Sequence, residues 1–189
     1  WVSVWDKAML LMMFHRDGES LPLARFCSLP EQVYYGYPMK YELRLSDLVL
    51  QSTAKTSIRQ KVDRFFTAGG GSLSVLSDYA AASKNELNVE VNAFVGCHEA
   101  GKLPPALAMN SSLTTRSGLY VGVEFYGSWS RYARLSSDLY MELLPSLGVS
   151  RRDGYDIECF ITRHAEGEEA GDRRYRVRYF IPVTLSAAG

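Results

Sequence analysis

From Tyr41 onward the same order of elements occurs twice, strand, helix, strand, strand, and this repeat restricts the fold more than any other feature of the sequence. Tyr41, Leu43 and Leu45 alternate with polar residues, and the run through Leu50 reads as a strand with a bulge near Ser46-Asp47. Thr56 or Ser57 caps a helix whose apolar face is Ile58, Val62, Phe65 and Phe66, and Gly69-Gly70-Gly71 ends it. Leu73 to Leu76 is a short strand, Tyr79 to Asn85 a loop, and Leu87, Val89, Val91, Ala93 and Val95 alternate in the next strand.

After Pro104-Pro105 the order returns. Leu119 to Tyr126 is a strand, Gly127 turns the chain, and Ser128 or Ser130 caps a helix. That helix buries Tyr132, Leu135, Leu139 and Leu143, with Leu144 and Leu147 beside them, and Gly148 stops it. The strand Tyr155 to Thr162, an acidic hairpin loop from Ala165 to Asp172, and a last strand from Tyr175 to Leu185 complete the unit. Two such units pair their sheets edge to edge, because that removes an exposed strand edge from each. The expected fold is therefore α+β, a duplicated β-α-β-β unit with antiparallel sheets and both helices on one face.

The first forty residues follow no such pattern. Trp1, Trp5, Met9, Met12, Met13 and Phe14 make an apolar start, Asp17-Gly18 a turn, and Tyr34-Tyr35-Gly36-Tyr37 an aromatic run. Residues 1–40 are expected to form an extension and residues 41–185 the domain, with lobes at about 41–100 and 117–185. The start at Trp1 is expected to follow a removed or omitted segment, such as a tag, a transit peptide or an upstream domain.

Strand alternation sorts the side chains of the second unit. Leu119, Val121, Val123 and Phe125 share one face, and Tyr120, Gly122, Glu124 and Tyr126 the other. Ile157, Cys159 and Ile161 are expected on the aliphatic, helix-covered side, leaving Asp156, Glu158 and Phe160 opposite. Val177, Tyr179, Ile181 and Val183 join the aliphatic side, against Arg176, Arg178 and Phe180. The outer face then presents Tyr120, Glu124, Tyr126, Glu158, Phe160 and Phe180 together. Aromatic rings around a carboxylate suit a flat apolar cation, through cation–π attraction of about 0.5–2 kcal/mol per contact and ion pairing. A solvated sheet face accepts the same residues without function, with Glu158 paired to Arg178.

The segments "GLYVGVEFYGSWSRY", "LYMELLPSLG", "YDIECF" and "RVRYFIPV" resemble the signature of GyrI-like small-molecule-binding domains, found in AraC- and MerR-type regulators and as stand-alone proteins. The matching elements are Gly127, Leu144-Pro145 with Gly148, Glu158-Cys159-Phe160 and Ile181-Pro182-Val183. The resemblance covers 118–183 by motif, Tyr41 to Leu113 by element order, and none of the first forty residues; haem-binding SOUL proteins resemble the same architecture. It implies a concave groove opposite the helices and places Glu158 at the family's ligand-facing carboxylate. Phe160 departs from the family's tyrosine and lacks its hydroxyl. Residues 1–40 show no helix-turn-helix pattern, so a transcription-factor role is expected only with a DNA-binding segment ahead of Trp1.

Lys+Arg and Asp+Glu balance at 21 each, so this chain alone is not expected to bind nucleic acid. No apolar run approaches the ~20 residues of a membrane-spanning helix. Cys27, Cys97 and Cys159 are widely spaced and odd in number, which points to a reducing compartment, cytoplasm or mitochondrial matrix. His15, His98 and His164 stand apart, and Cys97-His98 lacks companions at zinc spacing, so neither metal nor cofactor is expected. The expected function is a non-catalytic module for a small hydrophobic or cationic ligand. The alternatives are an accessory subunit of a larger assembly that docks a protein through residues 1–40, and a hydrolase with Glu158 as general base and Glu124 as its partner.

Overall fold

The computed structural model describes residues 15–16, 19–20, 24–44, 52–69, 71–81, 88–98, 111–161 and 174–185. The elements, in chain order, are β1 (His15–Arg16), β2 (Glu19–Ser20), β3 (Ala24–Leu29), β4 (Gln32–Arg44), α1 (Ser52–Thr67), β5 (Ser72–Ala81), β6 (Asn88–Cys97), β7 (Ser111–Thr115) and β8 (Gly118–Ser128). The helix α2 (Trp129–Asp138) then runs through a π-helical turn (Leu139–Leu143) into α3 (Leu144–Ser146). The strands β9 (Val149–Arg151), β10 (Asp156–Ile161) and β11 (Arg174–Leu185) follow.

β1 and β2 pair with each other, and the remaining strands form one nine-stranded sheet in the order β3-β8-β11-β10-β5-β6-β4-β7, with β9 beside β11. Every pairing is antiparallel. Within it β4-α1-β5-β6 and β8-α2-β10-β11 are two copies of one unit, arranged β5-β6-β4 and β10-β11-β8, and they meet edge to edge through β5 and β10. The α+β duplication thus stands as expected, and both helices pack on one face. Ile58, Val62 and Phe65 of α1 share a core with Tyr132 and Leu135 of α2, Val75 of β5 and Val121 of β8.

Two expectations change. Residues 24–40 belong to the sheet: β3 pairs β8, and β4 begins at Gln32 and pairs both β6 and β7. They read as an extension because Tyr34 and Gly36 are buried on one face while Tyr35 and Tyr37 are half-buried on the other, so no polar face marks the alternation. Gly127 lies inside β8 rather than at a turn, with the Phe125 ring packed over its bare Cα. The apolar start (1–14), the run from Leu45 to Leu50, Pro104-Pro105 and the acidic loop 165–172 lie outside the described residues.

The short strands missed in the sequence explain the curvature. Only Pro30 and Glu31 separate β3 from β4, and only Arg116 and Ser117 separate β7 from β8. Yet β3 pairs with β8 of the second unit and β7 with β4 of the first. The units exchange edge strands, and two short links joining distant positions in the strand order force the sheet to roll. Inside the roll, Tyr34, Leu76, Phe94, Tyr120 and Ile157 form a second core, distinct from the one under the helices.

The second helix follows local chemistry. Ser128 caps it, accepting from the Arg131 N–H at 3.5 Å. The Leu144 N–H bonds Leu139 O, five residues back, immediately before Pro145, which has no N–H to give. Gly148 then turns the chain at φ +63, a left-handed conformation that favours glycine. Among the described residues no helix is long and apolar enough to cross a membrane.

Candidate ligand-binding site

Strand register places one row of side chains across the helix-covered face: Tyr37, Val95, Val75, Glu158, Tyr179, Val123 and Ala24, on β4, β6, β5, β10, β11, β8 and β3. The units meet where β5 and β10, the equivalent strands of the two copies, pair with each other, and Val75 stands opposite Glu158 there. Glu158 therefore sits at the lobe junction, 2% exposed. Phe160 is two residues along the same face, fully buried, stacked against Trp129 at 6.1 Å and edge-on to Tyr132 at 5.2 Å. Tyr175 meets Trp129 edge-on at 5.1 Å, so α2 covers an aromatic cluster beside the carboxylate.

This corrects the expected placement of Glu158 and Phe160. They face the helices, and Ile157 turns into the roll, with Cys159 and Ile161 following by alternation. The aliphatic face of a strand suits an amphipathic helix where the other face is solvated. In a rolled sheet the central strand has two apolar faces, and alternation alone does not tell which is which. On β8 and β11 the assignment stands: Val121, Val123, Phe125, Val177, Tyr179 and Ile181 face the helices. Tyr120 and Phe180 lie with the inner core. Glu124 and Tyr126 follow Tyr120 on the same face.

One more polar atom enters the helix-side core. The Tyr37 hydroxyl is buried and has no hydrogen-bond partner among the described residues, while Lys61 of α1 sits 5.2 Å from its ring centre. A buried hydroxyl ordinarily finds a partner, so this one is unusual for the core.

A polar network that went unrecognised in the sequence closes one end of this face. Asp156, fully buried, accepts from the hydroxyls of Tyr140 and Tyr179 and from Arg151 Nε at 3.1 Å. Arg151 also donates to Gly154 O, lies 3.6 Å from Asp78 of the first unit and covers the Tyr79 ring at 5.5 Å. Burial raises the Asp156 carboxyl above the ordinary aspartate range, opposed by Arg151 and the two hydroxyls. Burial above all, then Tyr79, Asp156 and Glu158, push the Tyr179 hydroxyl far up, so it remains a donor. The only sequence signal was an Arg and an Asp five residues apart at a strand junction.

The concave face is already occupied by the chain's own groups. The Tyr120 and Tyr34 rings, each 1% exposed, fill the roll, donating to Arg116 O at 2.9 Å and Gln32 Oε1 at 2.8 Å. Burial raises both hydroxyls. The Arg152 guanidinium lies 5.0 Å over Tyr120, and Arg174 lies 5.9 Å over Tyr126. Glu124 takes Arg178 at 3.1 Å and Arg176 at 3.6 Å. Tyr120, Tyr126 and Glu124, expected to receive a cation, thus each hold an arginine. Among the described residues no three His, Cys, Asp or Glu side chains group to hold a metal ion.

Similarity to known proteins agrees with this architecture. A profile of the GyrI-like small molecule binding domain matches residues 25–184, which takes in β3 and β4. Among curated proteins none matches the chain. The structure of SAV2435 bound to tetraphenylphosphonium is similar at TM-score 0.51 and 11% identity, covering 85% of this chain and 93% of that one. A putative transcription regulation protein from Staphylococcus aureus Mu50 aligns at TM-score 0.49 and 11% identity, over 85% of this chain and 97% of that one. The EcmrR C-terminal domain aligns at TM-score 0.46 and 14% identity, over 88% and 99% respectively. At such identities the likeness is one of fold. With the family profile spanning both β-α-β-β units, this chain belongs to the GyrI-like small molecule binding domain family.

Proposed function

We propose that the domain is a non-catalytic binding module for a small lipophilic cation, held at the lobe junction with Glu158 as its charge partner. The observation that carries this is a carboxylate 2% exposed at the lobe junction, beside the ring of Phe160 and the rings of Trp129 and Tyr132 that pack on it. Burying a carboxylate costs several kcal/mol, and an arriving cation offsets part of that cost. Each aromatic face adds about 0.5–2 kcal/mol. The Tyr37 hydroxyl in the same row supports the reading, as does the tetraphenylphosphonium held by a protein of the same fold. Tyr120, Glu124, Tyr126 and Phe180 have no part in cation binding here, since arginines hold the first three and the inner core holds Phe180.

The test is calorimetric titration with tetraphenylphosphonium and, as its neutral counterpart, triphenylphosphine oxide. Glu158→Gln is expected to weaken the cation at least about tenfold, or 1.4 kcal/mol, and to leave the neutral molecule nearly unchanged. Equal cation affinity in the variant, or no binding by the wild-type protein, overturns the proposal.

A further inference from the structure

The part of the concave face outside the Tyr34–Tyr120 core has the charge opposite to that of the lobe junction. Both helices lie on the other side of the sheet. Arg176 and Arg178 alternate on β11 with side chains 51% and 44% exposed, and both reach Glu124, itself 42% exposed. Arg25 of β3 is exposed opposite Gly122, so it stands diagonal to Glu124 on the same face. Arg174 continues the row over the Tyr126 ring. Two arginines thus hold one carboxylate, a third stands diagonal to it in register, and a fourth extends the line.

We infer that this face is an interaction surface for an acidic peptide segment in extended conformation, bound through carboxylates. Glu124 displays the seating, one carboxylate between two guanidiniums at 3.1 and 3.6 Å. A guanidinium carries five donors, and Glu124 uses few of them, so each arginine retains capacity for a second acceptor. Alternate residues of an extended peptide recur every ~6.6–6.8 Å, the same repeat that separates Arg174, Arg176 and Arg178. Carboxylates at every second position therefore meet successive guanidiniums in register. Exposed ion pairs such as Glu124–Arg176 contribute only about 0–1 kcal/mol, so an incoming carboxylate exchanges with them at little cost. A nucleic acid fits less well: the chain has no net positive charge, and Arg174 already covers Tyr126, the most exposed aromatic of the described residues on this face.

Fluorescence anisotropy with a labelled peptide of alternating Glu and Thr tests this, against its Gln counterpart and an oligouridylate of equal length. The Glu peptide is expected to bind the wild-type protein, to weaken several-fold between about 50 and 300 mM salt, and to lose at least about tenfold in affinity with R176Q/R178Q. Because both arginines are exposed, that variant is expected to unfold at the wild-type temperature, which separates lost binding from lost folding. Equal binding of the Glu and Gln peptides, unchanged binding by the variant, or tighter binding of the oligouridylate overturns the inference. So does binding that arises only after Glu166, Glu168, Glu169 and Asp172 are changed to neutral residues, for the face then serves the chain's own acidic segment.

Discussion

Removing the Asp156 carboxylate isolates what holds the closed end of the lobe junction together. In Asp156→Ala the hydroxyls of Tyr140 and Tyr179 lose their acceptor, and Arg151, 18% exposed, loses its nearest anion. Each buried donor without a partner costs about 1–3 kcal/mol, and breaking a buried ion pair about 3–5 kcal/mol. These costs overlap because the groups share one oxygen pair, and Arg151 keeps Asp78 at 3.6 Å and the carbonyls of Gly154 and Arg152. The expected loss is therefore about 4 kcal/mol, or a Tm lowered by roughly 8–16 °C for a chain of this size. Asp156→Asn keeps an acceptor oxygen and the side-chain shape, and is expected to cost about 1–2 kcal/mol. The difference between the variants carries a pH signature. Since burial raises the Asp156 pKa in the folded chain, the folded state holds that proton more tightly than the unfolded state. The stability this group contributes is greatest below the ordinary aspartate value of about 3.9 and falls as pH rises through the folded value. Asp156→Asn has no such proton, so wild-type stability minus variant stability declines with rising pH across that window. Urea denaturation at a series of pH values measures all of this. A loss under about 1 kcal/mol in the alanine variant, or a stability difference that rises with pH, refutes the reasoning.

Phe160→Ala empties the space against Trp129 and Tyr132 and is expected to cost about 3–5 kcal/mol by denaturant unfolding; a loss under about 1 kcal/mol would place the ring elsewhere. Gly36→Ala drives a methyl to 1.9 Å from Val95 O across the β4–β6 pair, and is expected to lower stability by about 2 kcal/mol or more with local loss of amide protection at Val95 and Gly96. A neutral effect would mean that β4 and β6 separate there without consequence.

Much of the architecture was legible because it rests on local periodicity. The stripe Tyr132, Leu135, Leu139, Leu143 recurs at helical spacing, and all four residues are buried. Val177, Tyr179, Ile181 and Val183 alternate with Arg176, Arg178 and Phe180, and β11 presents the two sets to opposite faces. The candidate site was less legible. Glu158 could be selected by its family motif, but Trp129, Tyr132, Tyr37 and the Asp156 network come from helix starts, a distant strand and a strand junction, and nothing in their spacing joins them.

What the sequence determined by itself was the order of elements, their duplication and the apolar side of each helix, since each depends on residues a few positions apart. Tertiary structure alone decided that β3 and β7 are exchanged between units, that the sheet rolls around Tyr34 and Tyr120, and that Glu158 faces the helices. The physical reason lies in β10, a central strand apolar on both sides. Ile157 and Phe160 are equally suited to a core, and strand pairing at long range, not local hydrophobicity, assigns each of them to one.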